Sequence, residues 1–184
     1  HIGEAKSGNI RAFRWHTGDI ERVQWYNSDR PLAYDLSPYE ETLLIDVDYL
    51  TFNNQLKGYF GGNHEFLCYD RVWDVTHTDS MKNDATMTLA GHPMLWATVV
   101  YFRKCELAHR IFEMMKNIQT TWYYQSKFWG FSSRNYRNDF SLTLAHQLMQ
   151  GYQQGTTFNH PLPSLSTMDT IYKVKDSELL IKYM

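Results

Sequence analysis

The chain has 184 residues, a formal charge of −2 at pH 7 and 16% aromatic residues. That length suits a single domain able to bury about 70% of its unfolded surface, and it excludes a tail or a fibre. The near-balanced charge excludes a global field for nucleic acid or anionic lipid. Cys68 and Cys105 stand in no Cys-x-x-Cys pair, so no disulfide framework or cysteine zinc site is expected and both read as reduced core residues.

In chain order, residues 1–40 are polar and rich in turn formers. Asp29-Arg30-Pro31 and Ser37-Pro38 are expected to force extended or turn backbone. Arg11 to Trp15 supplies one short strand, with Trp15, Trp25, Tyr26, Tyr34 and Tyr39 as buried anchors. Thr42 to Ile45 reads as a buried strand of parallel type, since an unbroken apolar run is what burial on both faces selects. Asn53 to Phe60 predicts a short helix closing near Gly61-Gly62, and residues 66–90 read as short strands and loop.

Two longer helices follow. From Lys104 to Ile118, Leu107, Ile111, Met115 and Ile118 recur at three- and four-residue spacing, widened by Ala108 and Phe112. Residues 138–150 repeat the pattern through Phe140, Leu144 and Leu148, with Asn138 or Asp139 as cap and Gly151 just past the end. Pro161 to Ser166 must be extended, and Glu178 to Tyr183 could add an edge strand. Strands followed by helices in this order predict an α/β fold. Without an internal repeat or a linker, residues 1–184 read as one domain: an N-terminal region (1–40), a core (41–151) and a C-terminal extension (152–184). The absence of an apolar run of about eighteen residues and of a signal peptide points to a soluble, cytoplasmic protein. A start at His1 rather than Met is what a tag remnant, processing or an excluded leader would leave.

The segment richest in chemistry is Glu41-Thr42-Leu43-Leu44-Ile45-Asp46-Val47-Asp48, an apolar run ending in two carboxylates one residue apart. On extended backbone, period two puts Asp46 and Asp48 on one side, where they can share a divalent cation. They also fall at the carboxyl end of the strand, where open α/β sheets place their ligands. Carboxylates set directly against Leu-Leu-Ile are costly unless they stay hydrated or meet a cation.

The run from Ser37 to Leu50 resembles the signature of nucleotide-diphospho-sugar transferases of the GT-A type, in which a Pro-Tyr-Asp-x-Thr-Leu-Tyr-Leu-Asp-x-Asp segment precedes the sugar-nucleotide site. Met94 to Lys104 is similar to the strand that lines donor and acceptor in that family. Arg137-Asn138-Asp139 occupies the place of its acidic residue near the reacting sugar. The resemblance implies a GT-A-like (Rossmann-like) mixed sheet flanked by helices, with part of the nucleotide-binding half missing or remodelled. It also implies a nucleotide-sugar donor, and magnesium or manganese on Asp46 and Asp48 with His160 from the carboxyl-terminal segment. Asp139 becomes the catalytic candidate, and Asp46, Trp96, Arg137 and Asn138 become substrate-binding candidates.

In such a reaction a cation neutralises charge on the departing nucleoside diphosphate. Oxygen ligands select a hard ion rather than zinc. Arg103, Arg134 or Arg137 could add a bidentate phosphate contact. Asp139 could instead be only a helix cap, and Trp96, Tyr49 and Trp129 could stack on a sugar or simply pack. His92 could face an acceptor, while His109 and His146 read as surface or half-buried. His64 and His77 show no metal-ligand spacing. Two other classes stay open: a catalytically silent domain of the same fold, and a metal-dependent phosphohydrolase or nuclease.

Overall fold

The structure, a computed structural model, describes residues 10–14, 18–24, 28–51, 53–75, 86–131, 135–151, 157–165, 170–175 and 178–182. It opens on an antiparallel pair, β1 (Ile10–Arg14) and β2 (Ile20–Gln24), of which the sequence pattern had offered only the first strand. Arg30–Leu32 then forms a 3-10 turn that runs into α1 (Ala33–Leu36). Of the extended or turn backbone expected at Asp29-Arg30-Pro31, the structure takes the turn, with Pro31 at its start, where its missing N–H is not needed. Tyr34 packs on the core, but Tyr39 is exposed. Trp15, Trp25 and Tyr26 lie outside the described residues.

Three strands make the central sheet: β3 (Glu41–Ile45), β4 (Phe66–Tyr69) and, between them, β6 (Trp96–Arg103). Both neighbours pair with β6 antiparallel, with Leu44 opposite Val100 and Cys68 opposite Val100. The parallel strand expected at Thr42–Ile45 is therefore an antiparallel edge strand, half-buried from Thr42 to Leu44 and exposed at Ile45. Its apolar run arises because Leu43 and Leu44 touch opposite faces, each with its own core, whatever the strand direction. Parallel pairing occurs instead between β5 (Val72–Asp74) and β7 (Leu162–Ser164). The segment 157–164 runs along β4 and β5, with Phe158 N–H donating to Cys68 O (3.1 Å) and Leu162 N–H to Arg71 O (2.9 Å).

One face of the sheet carries all the longer helices: α2 (Glu106–Thr120), α3 (Trp122–Phe128) and α4 (Asn138–Met149). Phe66, Cys68, Val100 and Phe102 point at them and meet Ala108, Ile111, Phe112, Met115 and Ile118 of α2, the residues that the periodicity singled out. Phe112 lies 4.9 Å from Phe102 and 6.1 Å from Phe66, centroid to centroid. Helix α4 is buried around most of its circumference, from Asn138 to Gln147, so His146 is fully enclosed rather than half-exposed. The amphipathic stripe failed there because α4 lies against both the sheet and α2.

The opposite face is covered by a 3-10 turn at Gln55–Tyr59 and by Phe158 and Leu162, which pack on Leu67, Tyr69, Val99 and Tyr101. The fold is thus mixed α/β, with helices grouped on one side of a small sheet rather than flanking it on both. Residues 178–182 do not extend this sheet but form β9 (Glu178–Lys182), paired with β8 (Thr170–Lys175). No helix among the described residues is long and apolar enough to cross a membrane.

Candidate functional site

A cleft of about 670 Å³ opens on the helix-free side of the sheet. Asp46, Asp48, Tyr49, Thr51 and Gln55 form one wall, Trp96 and Thr98 lie on β6, and His160 with the β7 segment closes the other side. Asp46, Asp48, Trp96 and His160, chosen from three separate stretches of sequence, therefore share one cavity.

The chain reaches this place because β3 ends there. Asp46 N–H makes the last ladder bond, to Thr98 O (2.9 Å), and Tyr49 N–H then closes a turn on Asp46 O (3.0 Å). Asp48 sits within that turn, so the two carboxylates are not on one side of an extended backbone as period two had predicted. Asp46 is already paired: its Oδ1 accepts from Arg30 Nη1 at 2.5 Å, and Arg30 Nη2 donates to Thr98 O at 3.0 Å. The Arg30 side chain is 5% exposed, so this ion pair is screened far less than a surface pair. Asp48, by contrast, is exposed.

His160 is held by two tyrosines. Asn159 Oδ1 accepts from the Tyr59 hydroxyl (2.6 Å) and from His160 Nδ1 (3.0 Å), which places the ring proton on Nδ1. Nε2 is left to accept the Tyr69 hydroxyl at 2.8 Å. Burial pushes the Tyr49 and Tyr69 phenols above their ordinary range. Burial, aided by the charge of Arg71, lowers the His160 pKa and keeps the ring neutral. A neutral imidazole can bind a metal, but Nε2 would first have to give up Tyr69.

The remaining candidates lie elsewhere. Asp139 is in the first turn of α4, and Arg137, on extended backbone, holds the cap position without a side-chain cap bond. Neither Asn138 nor Asp139 caps the helix, because the Asp139 carboxylate is drawn off: Oδ1 accepts from Ala97 N–H (2.9 Å) and Oδ2 from Arg137 Nη2 (2.7 Å). Asn138 is buried and accepts from the Tyr136 hydroxyl at 3.3 Å. None of these three lines the cleft, although Asp139 grips β6 one residue from Trp96.

Arg103 pairs with Glu41 at 2.6 Å and, with the Gly61 N–H, holds that carboxyl below its usual range. Arg134 and His77 lie outside the described residues. His92 is buried against the Thr88 hydroxyl (2.9 Å) and the Trp129 ring rather than facing the cleft.

No family model, curated protein or solved structure matches this chain. What the cleft can do rests on its own chemistry.

Among the described residues no three His, Cys, Asp or Glu side chains gather as a metal cage. A magnesium-like ion asks less, since it keeps several waters and needs one or two carboxylates beside substrate phosphates. Asp48, with Asp46 behind it, fits that minimal donor set. Tyr59, Tyr69 and Arg30 were missed in the sequence. The one available signal for Arg30 was that a carboxylate directly after an apolar strand needs a countercharge.

Proposed function

We propose that the cleft binds a nucleotide-diphospho-sugar and that the chain is a metal-assisted glycosyltransferase domain of the GT-A type. The observation that carries this reading is the meeting of Asp46, Asp48, Trp96 and His160 in one cavity at the carboxyl end of β3. Its volume lies within the range of about 300–1,000 Å³ common for small-molecule sites. Magnesium or manganese, held through Asp48 with help from Asp46, would supply neutralising charge to a diphosphate leaving group.

The chain's own residues contribute binding and orientation. Trp96 and Tyr49 offer flat faces for a sugar or base. Arg30 fixes the Asp46 carboxylate, and Tyr69 fixes the His160 ring. Asp139 takes a positioning part, tying Arg137 and α4 to β6 behind Trp96.

The Arg30–Asp46 pair and the engaged oxygens of Asp139 favour a second reading, in which the domain binds the donor without transferring the sugar. Thermal unfolding against UDP-, GDP- and TDP-sugars, with and without manganese, tests the first claim. At a hundredfold excess over Kd a donor stabilises by about 2.7 kcal/mol, a shift of roughly 5–10 °C for a chain of this size. Asp48→Ala is expected to abolish the manganese-dependent shift while leaving the unliganded melting temperature within about 2 °C, since the residue is exposed. A donor shift indifferent to manganese and to Asp48 would overturn the metal role. Metal-dependent binding with no release of nucleoside diphosphate in the presence of any of a panel of sugar acceptors would support the silent domain.

A further inference from the structure

The two walls of the cleft differ in chemistry. On the β3 side Asp48, Thr51, Asn53 and Gln55 are exposed polar side chains. Trp96 and Thr98 of β6 lie between the walls, and β4, the next strand of the sheet, runs on into β5, which pairs with β7. That pair makes the far wall from Val72, Val75, Leu162, Pro163 and Leu165, with Ser164 and His160 as its polar members.

The polar groups of the far wall are largely spent inside the fold. Pro163 carries no N–H, and neither does Pro161 just before the strand. Leu162 N–H donates to Arg71 O (2.9 Å) and Val75 N–H to Ser164 O (3.0 Å). The Ser164 hydroxyl donates to Leu165 O at 3.3 Å. His160 donates through Nδ1 to Asn159 and accepts the Tyr69 hydroxyl at Nε2. A sugar hydroxyl laid against this wall would give up water without gaining a partner. Val75 and Leu165, half-buried, and Pro163, exposed, offer apolar surface that a hydrocarbon would cover favourably.

We propose, resting on the donor reading of this cleft, that its second ligand is an amphiphilic alcohol whose alkyl or aryl group lies along β5–β7 while its hydroxyl reaches the sugar beside Trp96. In the transfer the bond from the anomeric carbon to the phosphate oxygen breaks, and its electron pair stays on the diphosphate. A bond forms to the alcohol oxygen, whose proton passes to water. The charged leaving group at Asp48 and the hydrocarbon are thereby kept at opposite ends of one cavity. A free oligosaccharide needs hydrogen bonds along its length and fits this wall poorly.

The test compares n-octyl β-D-glucoside, kept below its micellar concentration, with methyl β-D-glucoside. Both resemble the product of such a transfer and differ only in the alkyl chain. Each is titrated into the full chain while the valine and leucine methyl signals are followed by NMR. The octyl compound is expected to move the Val75 and Leu165 methyls and to leave those of Leu142 and Leu144, in the helix-side core, unmoved. Its half-saturation should fall at a concentration at least tenfold lower than that of the methyl compound, a ratio for which burial of about two methylenes is enough.

Leu165→Ser and Val75→Ser are each expected to raise the octyl half-saturation several-fold, and an unchanged value in both would overturn the proposal. Equal affinity of the two glucosides, or octyl-induced shifts confined to methyls outside the cleft, would overturn it even where a nucleotide-sugar binds with manganese. Octyl binding at Val75 and Leu165 with no stabilisation by any nucleotide-sugar would instead defeat the transferase reading, and the acceptor role with it.

Discussion

The two faces of the central sheet are built by alternate residues of the same strands, yet they differ in kind. On the helix side, Phe66, Val100 and Phe102 meet aromatic and aliphatic side chains, and the enclosed ring of His146 has no hydrogen-bond partner among the described residues at either nitrogen. On the cleft side, Leu67, Tyr69, Val99 and Tyr101 end in hydroxyl groups as often as in methyls, and Tyr69 is tied to His160. One face is arranged for packing and the other for holding polar groups in fixed places. Substitutions on the first should change stability with little effect on ligand, and substitutions on the second should do the reverse.

The largest effect is expected at Phe112, which touches three rings on the helix side. Phe112→Ala removes the contacts of a buried ring and leaves a cavity, a loss of about 3–5 kcal/mol in urea unfolding. If the faces are separable, the remaining folded fraction should bind ligand with unchanged affinity. A weakened affinity would show that the two faces are coupled through β6.

His146 gives an intermediate effect with a definite sign. Burial lowers its pKa to about 4, so the unfolded chain takes up a proton that the folded chain refuses between about pH 6.5 and 4. The stability it contributes is complete above about pH 6.5 and is lost as the pH falls, by about 2 kcal/mol between pH 7.5 and 5.0. His92 and His160 are shifted in the same direction. His146→Leu should flatten most of that slope in urea titrations at the two pH values, and an unchanged slope would assign it to the other histidines.

The smallest stability effect, and the largest on binding, belongs to the cleft. Tyr69→Phe removes the hydroxyl at 2.8 Å from His160 Nε2 and costs about 1 kcal/mol. The freed Nε2 should shift the His160 ring-nitrogen NMR signal, and donor affinity should change several-fold. A stability loss with neither effect would make the tyrosine network mere packing.

Much of this division could be read along the chain. The spacing of Ile111, Phe112, Met115 and Ile118 marked α2 and its inward face, because a helix with one dry side repeats at 3.6 residues. Pro161 and Pro163 marked the extended segment that directly follows His160, and β7 lies there. The direction of β3 could not be read, since an apolar run reports burial and not the neighbour's polarity. His146 was misplaced for a related reason: periodicity describes a helix with one wet side, whereas α4 is enclosed on most sides. Asp139 looked like a cap by position, but an Ala97 N–H forty-two residues away claimed its carboxylate.

The sequence alone determined that α2 and α4 are helices, which side of α2 is dry, and that two carboxylates follow an apolar strand. Those features depend on local backbone preference and on hydrophobic spacing, which neighbouring residues set between themselves. Only the tertiary structure decided that Asp46 meets Arg30, that His160 meets Tyr69, that Trp96 faces the cleft while Ala97 binds Asp139, and that β3 lies at an edge. Each depends on groups between 16 and 91 residues apart, and such pairings are fixed by strand order and register, which no local pattern encodes.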